Sequence, residues 1–118
     1  VVVCPSEDFE ACGTNWNNPK IVFIDSNADG NRNSDEELLV ATAKASDSTK
    51  MTGPNTSINF QYTGAASRSF SIQLCPINDD ATVARAILVS LQGRVKVSSD
   101  ADDNGTHEDM DGVALNCP

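Results

Sequence analysis

A mostly β domain of two packed antiparallel sheets is the architecture that this 118-residue sequence predicts. Three observations point there. The apolar runs are strand-sized, several of them alternate apolar with polar residues, and clusters of Asn, Asp, Ser, Gly and Pro separate them at short intervals. No stretch repeats its apolar residues at a helical period. At roughly 100–200 residues per domain, residues 1–118 are expected to form one globular domain.

Taken in order, Val1–Cys4 is β-branched and ends at Pro5. Ile21–Ile24 reads as a buried strand, because it is apolar throughout and follows Pro19. Leu38–Ala43 fits a strand or a short helix, and the turn residues on both sides favour the strand. Ile58–Tyr62 and Phe70–Cys75 alternate as half-buried strands do. Ala84–Leu91 carries Ile87, Leu88 and Val89, Val95-Lys96-Val97 alternates again, and Val113–Cys117 reads as a last short strand. Turn clusters fall at Asn15–Pro19, Asp25–Asp35, Thr52–Ser57, Thr63–Ser67, Asn78–Asp80 and Asp100–Gly112.

Composition narrows the function. Seventeen acidic residues against 8 Lys and Arg give a net charge of −9, which argues against general nucleic-acid binding and against docking on anionic lipid by charge. No apolar run approaches the roughly 18–20 residues that cross a bilayer. One histidine, His107, rules out a multi-histidine metal site. There is no G-x-S-x-G element and no Gly-rich phosphate loop, so no catalytic residues and no cofactor are expected.

The four cysteines show no C-x-x-C spacing, which disfavours zinc and favours disulfides in an oxidising compartment. Three pairings are possible. The economical one is Cys4–Cys12 with Cys75–Cys117. In the chain-entropy picture the short loop contributes about 2.5 kcal/mol and the long one about 4 kcal/mol.

The sharpest local pattern is Asp25-x-Asn27-x-Asp29-Gly30-Asn31, closed by Glu36. It fits the oxygen-ligand spacing of a calcium loop, with Gly30 at the turn and Glu36 positioned to close the shell. Arg32 and the preceding strand depart from that pattern, so the expectation is an Asx-rich turn without a metal. Asp100–Gly105 repeats the spacing more loosely, with Asp111 where the pattern asks for Glu. Arg94 and Lys96 alternate and share one strand face, the best basic pair available to a nucleic-acid phosphate.

Read in series, these pieces resemble a known family. Cys4 and Cys12 are followed by Trp16, Ile21–Asp25, Asn27-x-Asp29-Gly30 and Glu36-Glu37-Leu38-Leu39. Then come Ile58-x-Phe60-x-x-x-Gly64, Phe70-x-Ile72-x-Leu74-Cys75 and Ile87-Leu88-Val89-Ser90-x-x-Gly93-Arg94-Val95-Lys96. This order resembles the globular domain of the GspH/FimT family of type IV pilin-like proteins. Pro19 stands where the family often has Gly, and Lys96 where relatives often have Arg.

The resemblance implies a non-enzymatic subunit that primes pilus assembly and sits near the fibre tip. Its partners would be other minor pilins and the major pilin or pseudopilin. It also implies a leader and a hydrophobic helix before Val1, anchoring the protein in the bacterial inner membrane with its head in the periplasm until it enters the extracellular fibre. The alternatives are a type II secretion pseudopilin, a DNA-uptake pilin using Arg94 and Lys96, and a calcium-binding module.

Overall fold

The structure, a computed structural model, describes residues 1–117. The strands are β1 (Val2–Pro5), β2 (Lys20–Phe23), β3 (Leu38–Ala41), β4 (Thr49–Thr52), β5 (Ile58–Asn59), β6 (Phe70–Pro76), β7 (Arg85–Val89) and β8 (Val95–Val97). They form two antiparallel four-stranded sheets in the orders β3-β2-β1-β5 and β4-β6-β7-β8. A single turn of 3-10 helix at Ala81–Val83, capped by the Asp80 carboxylate, is the only helix among the described residues. No helix among them is long and apolar enough to cross a membrane.

Strand alternation sorts the apolar residues into three clusters. Val2, Cys4, Ile21 and Phe23 form the outer core of the first sheet. Cys75, Ala84, Ala86 and Leu88 pack under Leu115 and Cys117 of the C-terminal segment. The third cluster joins the sheets: Val3 and Ile58 from the first meet Phe70 and Val89 from the second around Trp16, which is 2% exposed.

Two disulfides close the fold. Cys4–Cys12 closes the first loop, and Cys75–Cys117 fastens the C-terminal segment to β6. Gln73 supports the second, its Nε2 donating to the Asn116 carbonyl at 2.7 Å.

Several elements differ from the sequence reading. β4 is an additional strand, held by the Met51 N–H on Asn17 Oδ1 at 2.8 Å and by a Lys50–Asp79 ion pair. β5 stops at Asn59, and Tyr62, expected in that strand, is fully exposed. Val113–Cys117 forms no strand: the segment makes one isolated bridge, Glu108 with Ala114, and is held by Cys117 and by Leu115 in the core.

The glycines of the two family-like elements meet. Gly93 adopts φ +83°, and a Cβ there would lie 1.9 Å from the Gly64 carbonyl oxygen. The Ala66 N–H donates to the Leu91 carbonyl at 2.9 Å and holds the two turns together. The close approach of backbones requires glycine at position 93.

Candidate functional site

Three features stand out: two acidic loops, a basic pair just before and in the middle of β8, and an apolar face that the described residues leave partly open. In the first loop Asp25 caps the turn with both carboxylate oxygens. Oδ1 accepts the Asp29 N–H at 3.3 Å and Oδ2 the Gly30 N–H at 2.9 Å. Glu36 is 5% exposed, and its oxygens accept N–H groups from Ser26 at 2.7 Å and Asn33 at 2.8 Å. Asn27 and Asn31 serve the loop rather than a shared centre. Asn27 Oδ1 accepts the Asp29 N–H at 3.2 Å, and Asn31 Oδ1 accepts the Cys12 N–H at 2.9 Å, tying this loop to the first disulfide loop. Arg32, the departure from the calcium pattern, donates to the carbonyls of Glu36 and Phe9, both at 3.2 Å.

The second loop repeats this solution. Asp100 accepts the Asn104 N–H at 3.1 Å and the Gly105 N–H at 2.8 Å. The closing carboxylate is Glu108, which is buried and accepts the Ala101 N–H at 3.2 Å; Asp111, the residue the spacing suggested, does not close it. Glu108 falls eight residues after Asp100 instead of eleven, so only its neighbours in space identify it. His107 lies behind the loop, with Nδ1 at 2.9 Å from Ser98 Oγ.

Each loop brings three carboxylates together, Asp25, Asp29 and Glu36 in one and Asp100, Asp102 and Glu108 in the other, with one oxygen of each within 4.8 Å of the others. Such hard-oxygen trios have the chemistry to hold a calcium-like cation. Both are also closed by the chain's own N–H donors, and in the first the Arg32 guanidinium lies on the Glu36 carbonyl. The expected result is that millimolar calcium, compared with chelator, moves the melting temperature by no more than about a degree. A site occupied at 100 times its Kd would add about 2.7 kcal/mol, a shift of several degrees. A shift of that size, lost in Asp25→Ala, would show that the first loop is a cation site.

The hydrogen bonds also set a pH dependence. The Asn33 N–H, joined by those of Ser26 and Asn27, holds the Glu36 carboxyl below its ordinary range against the opposing effect of burial. The Asn31 N–H does the same for Asp29. A carboxyl depressed in the folded state stabilises it above the unfolded-state pKa and loses that contribution as pH falls through the folded value. The melting temperature should therefore fall on acidification below about pH 5. Glu36→Gln should have a lower melting temperature at neutral pH and a shallower acid limb than the parent; parallel acid limbs would remove Glu36 from the account.

The basic pair is brought together. Arg94 and Lys96 rim one cavity of about 200 Å³, with Leu88, Met110 and Ser90 completing its lining.

The third feature was not singled out by sequence reasoning. On the second sheet Leu74, Ile87, Val95 and Val97 share the face that carries Phe70 and Val89 into the joint cluster. Leu74 and Ile87 are only half-buried, and Val95 and Val97 are 59% and 66% exposed. On the first sheet the row through Val3 continues to Val22 and the exposed Val40. The signal was present in the strand alternation, but periodicity says which side chains share a face, not whether anything covers it.

Two antiparallel sheets, two disulfides and apolar side chains running out from a shared cluster define the class as a disulfide-bonded, mostly β domain. The model of the family described as type II transport protein GspH matches residues 1–93. The chain belongs to this family of pilins and pseudopilins, which are structural subunits rather than enzymes. No curated protein and no solved structure matches the chain. The matched span ends at Gly93, so Arg94, Lys96, the second acidic loop and Cys117 lie beyond it.

Proposed function

We propose that this chain is the globular head of a FimU-like minor pilin, which primes type IV pilus assembly and sits near the fibre tip with other minor pilins. The observation that carries the reading is the apolar face of the second sheet, which the described residues leave exposed at Val95 and Val97 and half-buried at Leu74 and Ile87, continuous with the core that joins both sheets. Apolar area left in water at roughly 25 cal/mol per Å² favours a cover. A hydrophobic helix preceding Val1 supplies one in a pilin. In the full gene product that helix would also anchor the subunit in the inner membrane, with the head in the periplasm, where the disulfides persist. Twitching motility and adhesion would then depend on it through the fibre.

Hydroxyl-radical footprinting of the 118-residue chain and of the longer gene product tests this. Met51, Leu74 and Ile87 should lose labelling in the longer product, while Tyr62 and Val113 keep theirs. Unchanged labelling on the apolar face would contradict the reading. The second reading, a type II secretion pseudopilin, is favoured by the description of the matched family. It uses the same face and the same helix, and the phenotype of a deletion separates the two.

A further inference from the structure

The outer edge of the second sheet has a chemical character of its own. β8 pairs with β7 on one side only; its other edge is open over Val95–Val97 and is closed just beyond them by Glu108, whose N–H donates to the Ser99 carbonyl at 3.1 Å. The Ser98 N–H donates to the Ala86 carbonyl at 2.8 Å and the Ser90 N–H to the Arg94 carbonyl at 3.0 Å. In an antiparallel ladder the hydrogen-bonded pairs alternate, so Lys96 exchanges bonds with Leu88, while the peptide groups of Val95 and Val97 point outward. Side chains alternate as well. Val95 and Val97 lie on the apolar face of the sheet, and Arg94 and Lys96 rim the small cavity on the opposite face, over Leu88 and Met110. A chain of net charge −9 thus places two of its 8 cationic residues side by side at a free strand edge.

We propose that this edge docks an extended strand of a partner protein in which apolar and acidic side chains alternate. The strand's peptide groups would pair with those of Val95 and Val97. Its apolar residues would extend the face of Val95 and Val97, and an acidic side chain would enter the cavity between Arg94 and Lys96. The period of two in the receptor strand imposes the same period on the ligand. Asp102, Glu108 and Asp109 line the neighbouring cavity, which Lys96 also borders. Acidic positions are therefore favoured beside Arg94 and Lys96 and disfavoured beyond Val97. The free edge of β3 is less selective, because Leu38–Ala41 offers no charged side chain. The inference rests on the fibre-subunit reading for the source of the strand, a neighbouring subunit, but not for the site itself. It also gives the basic pair a protein partner in place of duplex DNA, for which two cations are too few against this net charge.

The test is fluorescence anisotropy of the 118-residue chain with labelled seven-residue peptides. One is Thr-Val-Glu-Val-Glu-Val-Thr, the second has Lys in place of both Glu, and the third is the acidic peptide N-methylated at alternate residues on its pairing edge. The acidic peptide should bind at least about tenfold more tightly than the basic one, the factor that two exposed charge contacts supply. The Arg94→Gln, Lys96→Gln double variant should remove that preference while the chain stays folded by circular dichroism, both residues being exposed. N-methylation should abolish binding. No measurable binding, equal affinity for the two charge types, or full affinity of the N-methylated peptide would overturn the proposal. So would a duplex DNA that binds more tightly than the acidic peptide and is lost in the same variant. None of these results bears on whether the protein is needed for fibre assembly.

Discussion

Replacing Cys75 and Cys117 together by Ala should destabilise the chain by about 4 kcal/mol, against about 2.5 kcal/mol for replacing Cys4 and Cys12. The bridges close loops with sequence separations of 42 and 8 residues. In the chain-entropy picture the longer loop restricts the unfolded state more. The folded state points the same way. Cys117 and Leu115 lie on Ala84, Ala86 and Leu88, and Gln73 bonds the Asn116 carbonyl beside them. Without the bridge this segment loses its fastening, and the Asp100–Glu108 loop loses its support. Protease sensitivity should appear first after Ser99. For a domain of this size the difference between the two double variants is several degrees in Tm. Equal losses in the two variants would show that native packing, rather than loop closure, governs both bridges.

Gly93→Ala should cost on the order of 3 kcal/mol. Part of this is the left-handed backbone, roughly 1–2 kcal/mol for a residue with a Cβ. The rest is collision, because the new Cβ would sit 1.9 Å from the Gly64 oxygen, and that oxygen belongs to backbone held by the Ala66–Leu91 hydrogen bond. Gly30 is the matched control. It has the same φ of +83°, and a Cβ there meets nothing within 4 Å. Gly30→Ala should therefore cost only the backbone part, roughly 1–2 kcal/mol. Urea denaturation of both variants isolates the contact. Equal midpoints would mean that the approach of the two turns contributes nothing to stability.

The strands that sequence reasoning located are those whose side chains must enter a core. Ile21–Phe23, Phe70–Cys75 and Ile87–Val89 carry apolar residues of the three clusters, and one dimension shows them, Phe70–Cys75 by its alternation and the other two as unbroken apolar runs. β4 was invisible because Thr49-Lys50-Met51-Thr52 has a single apolar side chain and is held by the Asn17 side chain and by Asp79. Sequence proximity does not report such partners. The reverse holds for Val113–Cys117, whose apolar residues pack as a tethered segment without a ladder, because the bridge and Leu115 satisfy it. Asp25 and Glu36 were legible as the ends of one loop because the spacing is a known solution to converging oxygens. Glu108 was not, because a shorter path closes the same geometry. The apolar face of Leu74, Ile87, Val95 and Val97 was legible as strand and illegible as surface. Only the three-dimensional arrangement shows that the described residues leave it open.

The most direct measurement is a chromosomal deletion of the gene in its own bacterium, with surface pili, twitching and type II secretion scored in parallel and restored by the intact gene. The expected result is loss of surface pili and twitching with secretion unchanged. Secretion lost while pili persist, or both processes unaffected, would contradict the minor-pilin reading.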